Sequence, residues 1–239
     1  MVGGQTARIR LGTSVIVVPQ RNAVVTAKEL ATVDALVGGR VVAGVGLGWN
    51  EGEYRNLGVA ERFRVRGAYL DETIALWRHL WSGTEQPFDG RFHQIPSAVL
   101  SPRPAQGADL PIVVGGRSYH GVRRAGRLGD GYQLSQNGPA GLAARLPILR
   151  EAAAQAGRPM PPTSARAQVY FGPPPLGATP AALHGTPEEI SRVVDEWEAT
   201  GLDELALDVD ETDAQRAVTK MERLHLEVLE PRTRRSPAI

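Results

Sequence analysis

Short apolar runs alternate along the chain with longer segments in which apolar residues recur three and four positions apart. The runs are mostly continuous rather than broken by polar residues, which is typical of parallel strands covered on both faces. We therefore predict six strands, at Arg8 to Val18, Arg40 to Val45, Leu110 to Val114, Gly131 to Ser135, Arg166 to Phe171 and Glu204 to Val209.

A helix is predicted after each strand, and capping residues mark several of the helix ends. Asn22 can cap the first helix and Gly38-Gly39 would end it. Thr186-Pro187-Glu188-Glu189 is a capping box with proline at the first helical position. The later helices are predicted at about Val65 to Trp81, Ser118 to Arg127, Gly141 to Ala156, Thr186 to about Thr200 and Ala214 to Val228. This unbroken alternation predicts an α/β fold with a parallel sheet, either doubly wound or a (β/α) barrel.

Residues 83–110, between the second predicted helix and the third predicted strand, are rich in proline and glycine. Within them, Phe88 to Phe92 predicts a small hairpin with Asp-Gly at its turn. We interpret 83–110 as an insertion in a single domain that spans residues 1–239.

Charge and composition exclude several classes of function. Lysine plus arginine number 27 and aspartate plus glutamate 26, so the net charge of +1 gives no reason to expect a nucleic acid or a membrane as partner. No apolar run is long enough to span a bilayer and none forms an apolar leader, so we expect a cytoplasmic protein. With no cysteine, and five histidines none of which lie three or four residues apart, no metal site is expected.

Chemistry in parallel α/β folds sits at the carboxyl ends of strands, and three glycine-containing segments stand out there. Gly12 to Val15 lies inside the first strand, where small residues allow a bulge or the close approach of a planar ligand. The alternative is a glycine that the strand accommodates without any functional role. Gly44 to Gly48 leaves space and free N–H groups at a strand end. It fails the dinucleotide fingerprint because residue 49 is Trp49.

The third segment, Gly115-Gly116-Arg117-Ser118, joins a strand to a helix. Small residues at a helix N-terminus form an anion site, and Arg117 adds charge, so we expect phosphate there; a simple tight turn explains the glycines equally well. No catalytic triad or nucleophile elbow is present. Four single carboxylates are predicted near strand ends, and each could equally be an ordinary surface charge: Glu51, Glu53, Asp130 and Asp208.

Several motifs in series resemble the luciferase-like monooxygenase superfamily, and more narrowly its coenzyme F420-dependent oxidoreductases. The motifs are Gly12-Thr13-Ser14-Val15, Asn22 with Ala27 to Thr32, Gly39-Arg40 leading to Gly44 through Trp49, Pro102-Arg103-Pro104, Pro111 to Gly116, Ala125 to Gly131 and Gly185 to Glu189. The likeness runs from Arg8 to Val228. Each motif is modest, and their order gives the likeness its specificity.

The resemblance implies a (β/α)8 TIM barrel with a hairpin insertion and a flavin or deazaflavin at its carboxyl-terminal mouth. It implies a non-proline cis peptide at Ser14-Val15, in a bulge that supports the ring system from behind. By residue, the implied cofactor contacts are Thr13, Ser14 and Val15 behind the ring, Gly46, Leu47 and Gly48 along the ring and ribityl chain, Trp49 near the ring, and Gly115, Gly116, Arg117 and Ser118 at the phosphate.

The chain departs from the family at its beginning. The family places two βα units before the Gly-Thr-Ser-Val strand, so we count six strands where eight belong, and the missing second strand usually supplies residues over the reactive face. The true start lies upstream, the chain is a fragment, or an oligomer covers the open edges. The resemblance implies a homodimer.

The main functional expectation is an enzyme, an F420-dependent oxidoreductase that transfers a hydride between the deazaflavin and a small organic substrate. Arg117 and Arg123 are the candidate charges for the cofactor's acidic tail. The alternatives are an FMN-dependent monooxygenase and, because the N-terminal strands are missing, a non-catalytic flavin-binding protein or subunit. Trp49 stands where the resemblance implies an acidic residue in sugar-phosphate dehydrogenases, so a sugar phosphate is not the expected substrate. Catalytic residues are not assigned, although Glu51 or Glu53 could donate a proton.

Overall fold

A computed structural model of the chain describes residues 2–235. Its strands are β1 (Leu11–Gly12), β2 (Ile16–Val17), β3 (Val41–Gly46), β4 (Phe88–Asp89), β5 (Gln94–Ile95), β6 (Ile112–Gly115), β7 (Gly131–Ser135), β8 (Thr163–Phe171), β9 (Leu183–Gly185) and β10 (Glu204–Asp208). Its α-helices are α1 (Val2–Gln5), α2 (Ala23–Leu36), α3 (Glu51–Asn56), α4 (Arg62–Ser82), α5 (Tyr119–Leu128), α6 (Pro139–Ala143), α7 (Leu146–Gln155), α8 (Pro187–Ala199), α9 (Ala214–Leu224) and α10 (Glu230–Arg235).

The main sheet is parallel and has six strand positions in the order β1/β2, β3, β6, β7, β8, β10. β1 and β2 both pair with β3, so they form one interrupted strand, and β9 pairs with the end of β8. A hydrogen bond across the concave face shows that the sheet curls. Ser14, at the first strand position, donates from its Oγ to Oε1 of Gln133, at the fourth strand position, over 2.7 Å. The fold is therefore a (β/α)-barrel type with six of the eight usual strand positions. Within residues 2–235 no ladder joins β1/β2 to β10.

The apolar core lies between the helices and the outer face of this curled sheet. In β8 the buried residues alternate with the exposed or half-buried ones, so Ala165 and Ala167 face the helices while Arg166 faces the concave side. Trp77 and Trp81 of α4 are fully buried, and their indole N–H groups donate to carbonyl oxygens of α2. One cluster of buried apolar residues extends from Val18 to Val228. Polar side chains such as Gln133 and Arg166 therefore lie on the concave face.

Most predicted elements are confirmed, although several differ in extent; for example, β8 begins at Thr163 rather than Arg166 and α4 begins at Arg62 rather than Val65. The strand predicted from Arg8 to Val18 is interrupted at Thr13 to Val15, where the Ser14–Val15 peptide is cis, as the resemblance implied. The helix predicted from Gly141 to Ala156 is divided into α6 and α7, since Pro147 lacks the N–H that would continue the ladder. In the hairpin, the second strand is β5 rather than residues 91–92. The last helix continues past Val228 through a π-helical turn into α10.

The helix α3 was not expected, although Asn50 caps it by accepting a hydrogen bond from Gly52 N–H. None of the helices described is both long and apolar enough to cross a membrane. The single domain of residues 1–239, with 83–110 as an insertion, stays a prediction, and its ends at residue 1 and residues 236–239 lie outside the described part of the chain.

Candidate cofactor site

A cavity of about 770 Å³ opens at the carboxyl ends of β2, β3, β6 and β7. Ten of the eleven predicted site residues line it: Ser14, Val15, Gly46, Leu47, Gly48, Trp49, Gly115, Gly116, Arg117 and Ser118. Thr13 does not line the cavity, and its hydroxyl instead donates to the Gly44 carbonyl at 2.8 Å. Residues that are distant in sequence are thus brought to one cleft, as the strand-end argument requires.

The floor of the cavity is formed by Val15, at the bulge between β1 and β2. A Cβ built on Gly46 would lie 2.6 Å from Val15 Cγ2, and one built on Gly115 would lie 2.7 Å from Val15 Cγ1. Only glycine at these two positions leaves room for the valine, which is 36% exposed and faces the cavity. The bulge and the two glycines therefore form one apolar surface on which a planar ring can rest.

Two buried tyrosines hold the loops that form the cavity walls. The Tyr54 hydroxyl donates to the Leu47 carbonyl, and the Tyr132 hydroxyl donates to the Gly116 carbonyl at 2.8 Å. Burial raises the pKa of Tyr54 to about 12, and burial also raises the pKa of Tyr132. Both phenols therefore stay protonated at neutral pH and remain donors to the loops.

The loop from Gly115 to Ser118 borders the cavity at the start of α5. The Ser118 Oγ caps this helix by accepting from Gly121 N–H at 3.2 Å. The Arg145 guanidinium donates to the Arg117 carbonyl at 2.6 Å, and Arg117 Nη1 donates to Gln136 Oε1 at 3.0 Å. The N–H groups of a first helical turn have no partner within the helix, so this end of the cavity suits phosphate.

Four arginines line the cavity, and no aspartate or glutamate is among its described lining residues: the arginines are Arg66, Arg117, Arg124 and Arg166. Arg117 was predicted from the sequence together with Arg123, but Arg123 is exposed and does not line the cavity. Arg66 and Arg124 reach it from helices α4 and α5, which no sequence pattern marked. The cavity is therefore much more cationic than the chain as a whole.

A polar network crosses the concave face beside the cavity. Arg166 Nη1 lies 3.4 Å from the Ser14 carbonyl, and Arg166 Nη2 pairs with Asp208 at 2.5 Å. Although burial opposes ionisation of Asp208, the Asp210 N–H and the Arg166 guanidinium hold the pKa of Asp208 below its usual value. Asp208 is therefore an ionised partner that fixes Arg166.

The remaining candidate carboxylates do not reach the cavity. Glu53 accepts hydrogen bonds from Gln20 and Asn50, and neither Glu51 nor Glu53 lines the cavity. Asp130 pairs with Arg78 and Arg158 at the amino-terminal end of β7. Among residues 2–235, no group of three or more histidine, aspartate or glutamate side chains is arranged to hold a metal ion.

A second, more open cavity of about 550 Å³ lies at the end of β8, beside β9. It is lined in part by Phe171, His184 and Arg223, and none of the predicted site residues borders it. The candidate site is therefore the first cavity, where the predicted residues converge.

The fold and the cavity together define a (β/α)-barrel-type protein with an apolar, cationic cleft at the carboxyl ends of its strands. Residues 1–179 match the family model of the luciferase-like monooxygenases. Because that match covers most of the chain, the protein belongs to the luciferase-like monooxygenase family.

Individual relatives agree with this assignment. The chain is 38% identical over 162 residues to an F420-dependent glucose-6-phosphate dehydrogenase of Nocardia farcinica, covering 66% of this chain and 48% of that protein. The chain thus spans about half the length of the curated relatives it matches. Its fold is similar to that of the F420-dependent tetrahydromethanopterin reductase of Methanopyrus kandleri, with a TM-score of 0.79, 17% identity, and coverage of 95% of this chain and 84% of that one. It is also similar to the FMN-bound oxygenating constituent of a Pseudomonas putida diketocamphane monooxygenase, with a TM-score of 0.76, 16% identity, and coverage of 96% and 81%.

Proposed function

We propose that this chain is an F420-dependent oxidoreductase that holds coenzyme F420 in the 770 Å³ cavity. The observation that carries the proposal is the convergence of ten predicted contact residues, Arg117 among them, with three further arginines in one cleft. The F420-dependent relatives in sequence and structure support the choice of cofactor.

The residues present fit a deazaflavin. Val15 offers an apolar floor, and Gly116, at φ 155°, has open space where a Cβ would stand, so its backbone can approach a ligand closely. The cationic end near Arg117 fits a phosphate, and buried Arg66 Nε has no hydrogen-bond partner in the described structure. Coenzyme F420 would supply two-electron hydride chemistry.

The chain's own residues position that chemistry rather than perform it. Val15 would support the ring from behind, and Tyr54 and Tyr132 hold the two loops that border the cavity. Arg166 lines the cleft from the concave side, where its ion pair with Asp208 holds the guanidinium in place. We propose a small organic molecule as the substrate, bound on this side.

The test is a titration with F420 and, separately, with FMN, followed by tryptophan fluorescence. Trp49 lines the cavity and is 81% exposed, whereas Trp77, Trp81 and Trp197 are at most 1% exposed. We expect saturable quenching by F420 with weak binding of FMN. The variant Trp49→Phe should lose most of the quenching amplitude while it still binds F420 by equilibrium dialysis.

The structural neighbour that binds FMN supports a second candidate, an FMN-dependent monooxygenase. Tighter binding of FMN than of F420 would favour it. Binding of F420 without oxidation of any substrate in a broad panel of alcohols, aldehydes and sugar phosphates would favour a non-catalytic flavin-binding protein or subunit. No binding of either cofactor by the folded chain would contradict all three proposals.

Two further expectations stay predictions. We propose that the chain forms a homodimer, since both outer strand positions of the sheet present unpaired edges in the described structure. Light scattering of the purified chain would check the dimer. A cytoplasmic location is proposed with it, and cell fractionation would check that.

A further inference from the structure

A second pair of cavity arginines lies on helices α4 and α5, outside the loop from Gly115 to Ser118. It consists of Arg66 and Arg124, which both line the cavity. A Cβ built on Gly67 would lie 2.8 Å from Arg124 Nη2, so the absence of a side chain next to Arg66 lets the Arg124 guanidinium pass. The two arginines are thus neighbours across a helix contact.

The two arginines differ in how far they are neutralised. Arg124 is buried and its Nε donates to Asp71, which also accepts from Arg127 at 3.1 Å. Arg66 has no carboxylate partner among the described residues. Its Nη1 donates to the Phe63 carbonyl at 2.5 Å, and its Cζ lies 4.1 Å from the centre of the Phe63 ring. Arg66 is therefore a positioned cation with a buried, unpartnered Nε.

We propose that Arg66, backed by Arg124, binds the carboxylates of the γ-glutamyl tail of coenzyme F420 and so selects F420 over FMN. The proposal rests on the proposed function. FMN ends at its phosphate, which the loop before α5 can hold alone, so FMN leaves Arg66 without an anion. Coenzyme F420 continues beyond its phosphodiester into a chain of ionised carboxylates, and charge-assisted pairing with a planar guanidinium suits them.

The test compares three ligands on the full chain: F420 carrying two γ-glutamates, F420 carrying none, and FMN. The variant is Arg66→Gln, which removes the charge. The matched control is Arg123→Gln, which removes an arginine that is exposed beside Arg124 and does not line the cavity. Binding constants come from fluorescence titration, and thermal melting shows that each variant is folded.

We expect Arg66→Gln to raise the Kd of the glutamylated F420 about tenfold, as loss of one hydrogen-bonded charge pair should. The Kd values for F420 without glutamates and for FMN should change less than about twofold, and Arg123→Gln should change none of them. The salt dependence of glutamylated F420 binding should also become weaker in Arg66→Gln.

Two results for Arg66→Gln would overturn the inference while leaving the proposed function intact. One is an equal loss of affinity for both forms of F420, which would place Arg66 at the phosphate. The other is no loss of affinity for either form. Failure of the wild-type chain to bind any form of F420 would refute the proposed function, and the inference with it. A second variant, Gly67→Ala, keeps both charges but displaces Arg124 Nη2. It should weaken only the glutamylated form, to a smaller degree than Arg66→Gln.

Discussion

Val15 fills the volume in which a side chain on Gly46 would begin, with only 2.6 Å between Val15 Cγ2 and a Cβ built on Gly46. This contact joins the bulge in the first strand to the end of β3, two features that sequence analysis treated separately. The position of the cavity floor therefore depends on both residues together.

We predict that Gly46→Ala lowers the free energy of unfolding by about 1–3 kcal/mol, because the added methyl overpacks Val15. Urea denaturation measures this, and fluorescence titration should show weaker F420 binding as Val15 is displaced. The control is Gly12→Ala in β1, where the nearest atom to a Cβ is 3.9 Å away, so the change should stay within about 0.5 kcal/mol.

The double variant Val15→Ala/Gly46→Ala distinguishes overpacking from a general cost of alanine at residue 46. A Cβ on Gly46 lies 3.6 Å from Val15 Cβ, an ordinary contact, so removing the valine methyls should recover much of the lost stability. The two effects should be non-additive. Additive destabilisation would contradict the contact.

The tyrosines behind the cavity walls give a second prediction. Tyr132→Phe removes the hydroxyl that donates to the Gly116 carbonyl, so the loop that suits phosphate should loosen. We expect a loss of about 1–3 kcal/mol in unfolding free energy and a several-fold higher Kd for F420. Tyr119→Phe, at a half-exposed tyrosine on the same helix–loop junction, is the control and should leave both quantities near wild type.

Helix ends and glycine loops could be predicted from the sequence because their signals are local. Asn22 accepts from Val24 N–H and Val25 N–H, and the capping box of Thr186 and Glu189 is formed as expected. The glycine loops follow strands directly, so topology alone brings them together.

The cationic wall could not be predicted, because it depends on the rotation of helices. Adjacent helical residues point about 100° apart, so whether Arg123 or Arg124 enters the cavity is decided only by packing. Arg66 and Gly67 lie on another helix, about 57 residues earlier in the chain. Arg166 carries a clearer signal in the sequence. A charged residue between Ala165 and Ala167 interrupts an apolar strand and so indicates which face of the strand is polar.

A third prediction concerns Asp34, whose fully buried carboxylate joins α2 to β3 and to the segment before β6. It accepts from Val41 N–H at 3.1 Å, from Gln106 N–H at 3.0 Å and from Gln106 Nε2 at 2.9 Å. Asp34→Ala leaves the buried Val41 and Gln106 backbone N–H groups without this acceptor, while Gln106 Nε2 keeps only the Val41 carbonyl. We therefore expect a loss of at least about 2 kcal/mol in urea denaturation. The control Asp109→Ala, at an exposed aspartate of the same segment, should cost less than about 0.5 kcal/mol, and a similar cost for both would contradict this role.

The last prediction is a pH dependence that originates at His93, in the loop that joins β4 to β5. Its Nε2 lies 2.9 Å from Thr73 Oγ1, and Thr73 already donates to the Tyr69 carbonyl, so Nε2–H is the donor to Thr73. Burial lowers the pKa of His93 below its usual 6.5; the nearby Glu72 carboxylate opposes this shift and Arg62 adds to it.

Because the pKa of His93 is lower in the folded state, the unfolded chain takes up the proton first as the pH falls. The contribution of His93 to the free energy of unfolding should therefore be fully present above about pH 7.5. It should decline as the pH falls through 6.5, until the pKa of the folded state is reached. His93→Gln keeps an N–H that can donate to Thr73 and cannot titrate. Urea denaturation at a series of pH values should show that the difference between wild type and His93→Gln changes across this window. Parallel curves for the two proteins would contradict the assignment.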